Sequence, residues 1–97
     1  MASNFTISSD QKGKAIHLKL YGYFDGASAD ELLNAIKWYG KDADRIFIHT
    51  DGIQSIHPFG QALFRNKFYS VKSQAARLVF TGKNRKKIMP EKMNLFY

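Results

Sequence analysis

Apolar and polar residues change their spacing along this chain in a way that marks out its elements one by one. Ile16, Leu18 and Leu20 alternate with His17, Lys19 and Tyr21, the period of two expected of a strand with one face on a core. Phe5-Thr6-Ile7 alternates likewise, and the polar stretch from Ser8 to Gly13 predicts a turn that joins the two runs as an edge hairpin. Gly22 is expected to end the regularity of the second run. Ala29, Leu32, Leu33 and Ile36 then fall at i, i+3, i+4 and i+7, the stripe of an amphipathic helix. Ser28 and Glu31 have the spacing of a capping box, which places the helix start at Ser28. Gly40 suits a left-handed stop after the last turn.

Ile46-Phe47-Ile48 is apolar throughout, the mark of a short central strand covered on both faces. Asp51-Gly52 reads as a turn pair. Pro58 fits the first turn of a second helix, where its missing N–H costs nothing. Phe64, Phe68 and Val71 share one face of that helix, which is predicted to run to about Lys72, with Arg65, Asn66, Lys67 and Tyr69 turned toward solvent. Arg77 to Thr81 form the last clear strand, closed by Gly82. The basic segment 83–97 is expected to be partly helical at most, because Pro90 breaks any long helix.

The predicted order β-β-α-β-α-β makes a single α/β domain of the 97 residues. Right-handed crossovers between successive parallel strands put both main helices on the same side. The expected architecture is a two-layer sandwich, a mixed four-stranded sheet with helices on one face. Cysteine is absent, which excludes a disulfide frame and a thiolate metal site and makes a reducing, cytoplasmic setting the natural one. Neither a membrane span nor an export leader is expected from the apolar runs. The net charge of +7 is unevenly placed: up to Phe64 there are six Lys/Arg and seven Asp/Glu, and from Arg65 onward nine against one. Such asymmetry suggests an acidic partner, and charge alone does not choose among a protein surface, nucleic acid and lipid headgroups.

Three motifs in order resemble the STAS family, the domain of bacterial anti-sigma-factor antagonists and of the cytoplasmic tails of sulfate transporters. Gly22-Tyr23-Phe24-Asp25 with Ala29 and Leu32 is similar to the family's approach to its first helix. His49 through Gly60 fits, without a gap, the stretch from the central strand to the second helix. Leu78-Val79-Phe80-Thr81-Gly82 resembles the late strand and its closing glycine. The resemblance implies a STAS-like fold and a protein-interaction role with no chemistry and no cofactor. It also shows where this chain departs from the pattern. His49 stands at the strand-end aspartate, His57 at the motif aspartate, Pro58 at the serine that accepts phosphate, and Phe59 at the next position, while Gly60 is kept. Proline has no hydroxyl, so the usual phosphorylation switch has no acceptor; Ser55 is the nearby substitute.

On that resemblance the expected contact residues are Asp25, Asp51, His57, Phe59, Arg65 and Tyr69, around the start of the second helix, since an exposed aromatic with a flanking arginine makes an effective hot spot. The expected partner has an acidic surface: an anti-sigma factor or kinase-like regulator, a receptor or a transporter subunit. Dimerisation through an edge strand is left open. Asp25, Asp51, His49 and His57 are expected to approach one another at the ends of neighbouring strands, yet their spacing matches no metal signature, and no metal is assigned. The alternative function is nucleic-acid binding by Lys83, Arg85, Lys86 and Lys87, with Phe96 and Tyr97 as stacking groups.

Overall fold

The computed structural model describes residues 4–90. Strands β1 (Phe5–Lys12), β2 (Ala15–Phe24), β3 (Arg45–Ile56) and β4 (Leu78–Thr81) form one sheet in that order. β1 is antiparallel to β2, and β2, β3 and β4 are parallel. Helix α1 (Gly26–Tyr39) crosses between β2 and β3, and α2 (Pro58–Asn66) with a 3-10 segment (Phe68–Arg77) crosses between β3 and β4. One further turn, α3 (Arg85–Ile88), follows. Both crossovers advance in the same direction, so the helices cover one face, and the other carries no helix among the described residues. Leu18, Leu20, Ile46, Ile48, Leu78 and Phe80 project under the helices against Leu32, Leu33, Ile36, Phe64 and Val71, all buried. This is the mixed α/β sandwich read from the pattern.

Several local expectations are corrected. The polar run after Ile7 is strand rather than turn: β1 pairs as far as Lys12 with Ala15, leaving only Gly13 and Lys14 to reverse the chain. An outer edge strand can be polar because water solvates it. Gly22 sits inside β2 at φ +97°, where a Cβ would collide with the Asn4 carbonyl, and the pairing with β3 slips directly after it. Helix α1 starts at Gly26 with Asp25 as its cap, and Gly40 closes it at φ −81°, a right-handed conformation.

β3 does not turn at Asp51-Gly52. Lys19 faces His49 but Tyr21 faces Gly52, so the extra residue is absorbed as a bulge, and a second slip follows between Ile53 and Ser55. Ile46, Ile48, Thr50 and Ile53 are buried while Asp51, Gln54 and Ser55 are exposed. Phe47 is only half-buried, because its side of the sheet carries no helix. α2 stops at Asn66, and the chain tightens into the 3-10 segment, which kinks at Val71. The basic stretch after Gly82 is anchored: Ile88 and Met89 are as buried as any core residue. Asn84 donates to the carbonyls of Thr50 and Ile53 at 3.0 and 3.3 Å.

Candidate functional site

Two helix starts meet beside the end of β3. His57 caps α2: its backbone is extended (φ −79°, ψ 134°), and its Nδ1 accepts the Phe59 N–H at 3.1 Å. That bond leaves the proton of the neutral ring on Nε2, facing solvent. The His57 N–H donates to the Phe24 carbonyl at 2.8 Å, which ties α2 to the residue before the α1 cap. There the Asp25 carboxylate accepts the Ser28 N–H at 2.9 Å, with the Ser28 hydroxyl also at 2.9 Å. The Ser28 N–H first, and its hydroxyl second, hold Asp25 below the ordinary carboxylate range.

Gly60 and Gly26 make this junction possible. A Cβ on buried Gly60 would lie 2.5 Å from the Asp25 carbonyl carbon, and one on Gly26 would lie 2.8 Å from Cε2 of Phe59. The first turn of α2 therefore presses on the α1 cap, and the Phe59 ring rests over Gly26 while remaining 62% exposed. Asp25, His57 and Phe59 thus adjoin at the surface. Ser55 is exposed on β3, before the helix.

The other expected contacts are arranged differently. Arg65 donates through Nη2 to the Lys86 and Lys87 carbonyls at 3.3 and 3.2 Å, and Gln61, one turn earlier, donates to the Lys87 carbonyl at 2.6 Å. Both side chains bind the free carbonyl end of α3, so Arg65 is a clamp inside the domain as well as a rim residue. Tyr69 projects from the 3-10 segment, 73% exposed. Asp51 lies back along β3, where its carboxylate accepts the Lys83 N–H at 2.8 Å. Lys83, Lys86 and Lys87 are exposed, Arg85 is half-buried against the Gly82 carbonyl, and Phe96 and Tyr97 lie outside the described residues.

His49 does not approach Asp25 or His57. It stands in mid-sheet on the uncovered face, with Nε2 2.8 Å from His17 Nδ1 and Nδ1 2.6 Å from the Thr81 hydroxyl. The two imidazoles are within 2° of parallel at a centroid distance of 5.1 Å, so with that bond they lie edge to edge in one plane. Phe47 is parallel to His17 at 4.7 Å. Burial, then the His17 and Lys19 charges, push the His49 pKa down against the opposing pull of Asp51. This pairing of residues from β2 and β3 escaped sequence reading, although the alternation of Ile16, His17 and Leu18 already put His17 on the outer side. Among the described residues, no three His, Cys, Asp or Glu side chains are grouped so as to hold a metal ion.

No protein-family profile and no curated protein sequence matches the chain. Solved structures do. An antisigma-factor antagonist STAS domain from Rhodobacter sphaeroides superposes with a TM-score of 0.66 at 15% identity, covering 88% of this chain and 94% of its own. The anti-sigma factor antagonist SpoIIAA in its unphosphorylated form gives 0.57 at 13% identity, covering 88% and 84%. A chain described as Mglu gives 0.66 at 15% identity over 80% of this chain, which spans only 20% of that longer one. The fold is therefore that of STAS domains.

Proposed function

We propose that the chain is a non-enzymatic protein-interaction module of the anti-sigma-factor-antagonist kind, acting in the cytoplasm as a regulator. It docks a partner at the start of α2 through Asp25, His57 and Phe59, with Arg65, Tyr69 and Asp51 farther out. One observation carries the reading: Phe59 is held against Gly26 at the meeting of two helix starts, with most of its ring offered to solvent. An aromatic fixed before binding loses little entropy when it is buried, which is how a small patch becomes a hot spot. The start of α2 offers His57, Pro58, Phe59 and Gly60, with no hydroxyl to phosphorylate, so docking is constitutive at this position. The exposed Lys86 and Lys87 of α3, tied to α2 through Gln61 and Arg65, favour an acidic partner surface such as that of an anti-sigma factor or kinase-like regulator, a receptor or a transporter subunit.

Crosslinked purification from the protein's own cells, followed by mass spectrometry, tests this. The wild-type chain, Phe59→Ala and Trp38→Ala are run in parallel, Trp38 being exposed on α1 outside the proposed surface. The expected result is a partner recovered by the wild type and by Trp38→Ala and lost with Phe59→Ala. Recovery that is the same with all three chains, or no partner at all, refutes the proposal.

A further inference from the structure

The sheet face without helices is not an ordinary solvated surface. Tyr21 and Tyr23 on β2 are 46% and 47% exposed. Tyr21 lies over Gly52 of β3: a Cβ there would come within 2.5 Å of its Cδ1 and 2.9 Å of its Cε1. The missing side chain lets the ring rest on the neighbouring backbone with its other face free. Beside the two tyrosines is an open hollow of about 350 Å³, lined also by Asn4, Thr6 and Gln54. Two amides and a hydroxyl supply donors and acceptors next to two π faces.

Lower on the same face stand the parallel rings of His17 and Phe47. Strand register puts Lys12, Lys19 and Arg45 on this side, against Asp10 and Asp51. Lys12 is paired with Asp10 at 3.9 Å and the Asp51 carboxylate accepts the Lys83 N–H, which leaves exposed Lys19 and Arg45 without an ion pair among the described residues. Rings with free faces, amides at their edge and two open cations match an unpaired nucleotide strand. Any base can stack on a tyrosine, amides can bond base edges, and ammonium and guanidinium groups neutralise phosphates. A duplex keeps its base faces covered and offers the tyrosines nothing to stack on. We infer that the open sheet face binds single-stranded nucleic acid, with a base stacked at Tyr21 and Tyr23 and the backbone passing Lys19. This surface is distinct from the helix-start junction of Asp25, His57 and Phe59 and from the basic turn α3.

Fluorescence anisotropy with labelled single-stranded RNA and DNA decamers, and with the matching duplexes, at 50 to 200 mM salt, tests the inference. Single strands are expected to bind more tightly than duplexes. Tyr21→Ala and Tyr23→Ala should each weaken single-strand binding by about 5- to 100-fold, the cost of a lost base stack. Tyr21→Phe and Tyr23→Phe keep the ring and should keep the affinity, which separates stacking from misfolding. Lys19→Ala should lower the salt slope by about one phosphate contact, and Trp38→Ala should change nothing. No binding at the lowest salt overturns the inference. So does equal affinity for duplexes, retention by both tyrosine-to-alanine variants, or a loss seen only with Lys86→Ala and Lys87→Ala.

Discussion

On the helix-covered side of the sheet, Leu18, Ile48 and Phe80 lie opposite one another across three strands, each 2% exposed or less. On the bare side, His17, His49 and Thr81, each one residue away on the same strands, are joined by hydrogen bonds and remain half-buried. The first row is held by shape and by exclusion of water, so it responds to volume and not to pH. The second is held by protons whose positions can change, so it responds to charge. A proton added to one imidazole preserves both hydrogen bonds. A second would set two N–H groups on one 2.8 Å line and break the link.

The largest expected effect comes from the covered side. Ile48→Ala should destabilise the domain by about 2–5 kcal/mol in urea unfolding, through lost burial and a residual cavity. Phe47→Ala, its neighbour on the bare side, should cost less than half as much, and equal losses would erase the distinction between the faces. Gly60→Ala is next, at about 1–3 kcal/mol for overpacking against Asp25; a loss below about 0.5 kcal/mol would show that the helix starts are not pressed together. Asp25→Ala should cost about 1 kcal/mol as a lost cap.

The ionisation of Asp25 has a definite sign. With its pKa lowered in the fold, its contribution is complete above the usual carboxylate value of about 3.9 and disappears as pH falls through the lower folded value. The variant should lack that acid-dependent component. The smallest effect belongs to the bare side. The folded pKa of His49 is also depressed, so the unfolded chain binds the proton more readily. Its contribution is complete above about 6.5 and lost as pH falls through the folded value. In titration by NMR, His17→Gln should bring His49 back toward its ordinary value; an unchanged His49 would remove the pair as a cause.

Much of the architecture was legible because it depends on local spacing. Pro58 and the alternation through Ile16, Leu18 and Leu20 are signals carried by neighbouring residues, and they located α2 and β2. What sequence reading missed depends on partners distant in the chain. Ser28 has the form of a cap, but the chain enters α1 one turn earlier, and Asp25 takes that place with Ser28 as its donor. Thr50-Asp51-Gly52 has turn composition, yet pairing with β2 carries it on as strand. Arg65 has the appearance of a free surface charge until α3 brings two carbonyls to it. Ile88 and Met89 lie in a basic stretch whose composition hides that they complete the core. The candidate contact surface was half legible, since Asp25, His57 and Phe59 do adjoin while Asp51 is committed to the loop after β4.

The two slips in β3 leave the orientation of the strand intact, so that Ile46 and Ile56 both turn toward the helices despite the irregular pairing between them. Since each slip takes up one extra residue, a homologue that lost one residue at either slip would regain regular pairing there and still deliver its helix start to the same side of the sheet. Length changes of one or two residues at these slips should therefore be tolerated, which makes the interval between the central strand and its helix adjustable without reversing the helix start.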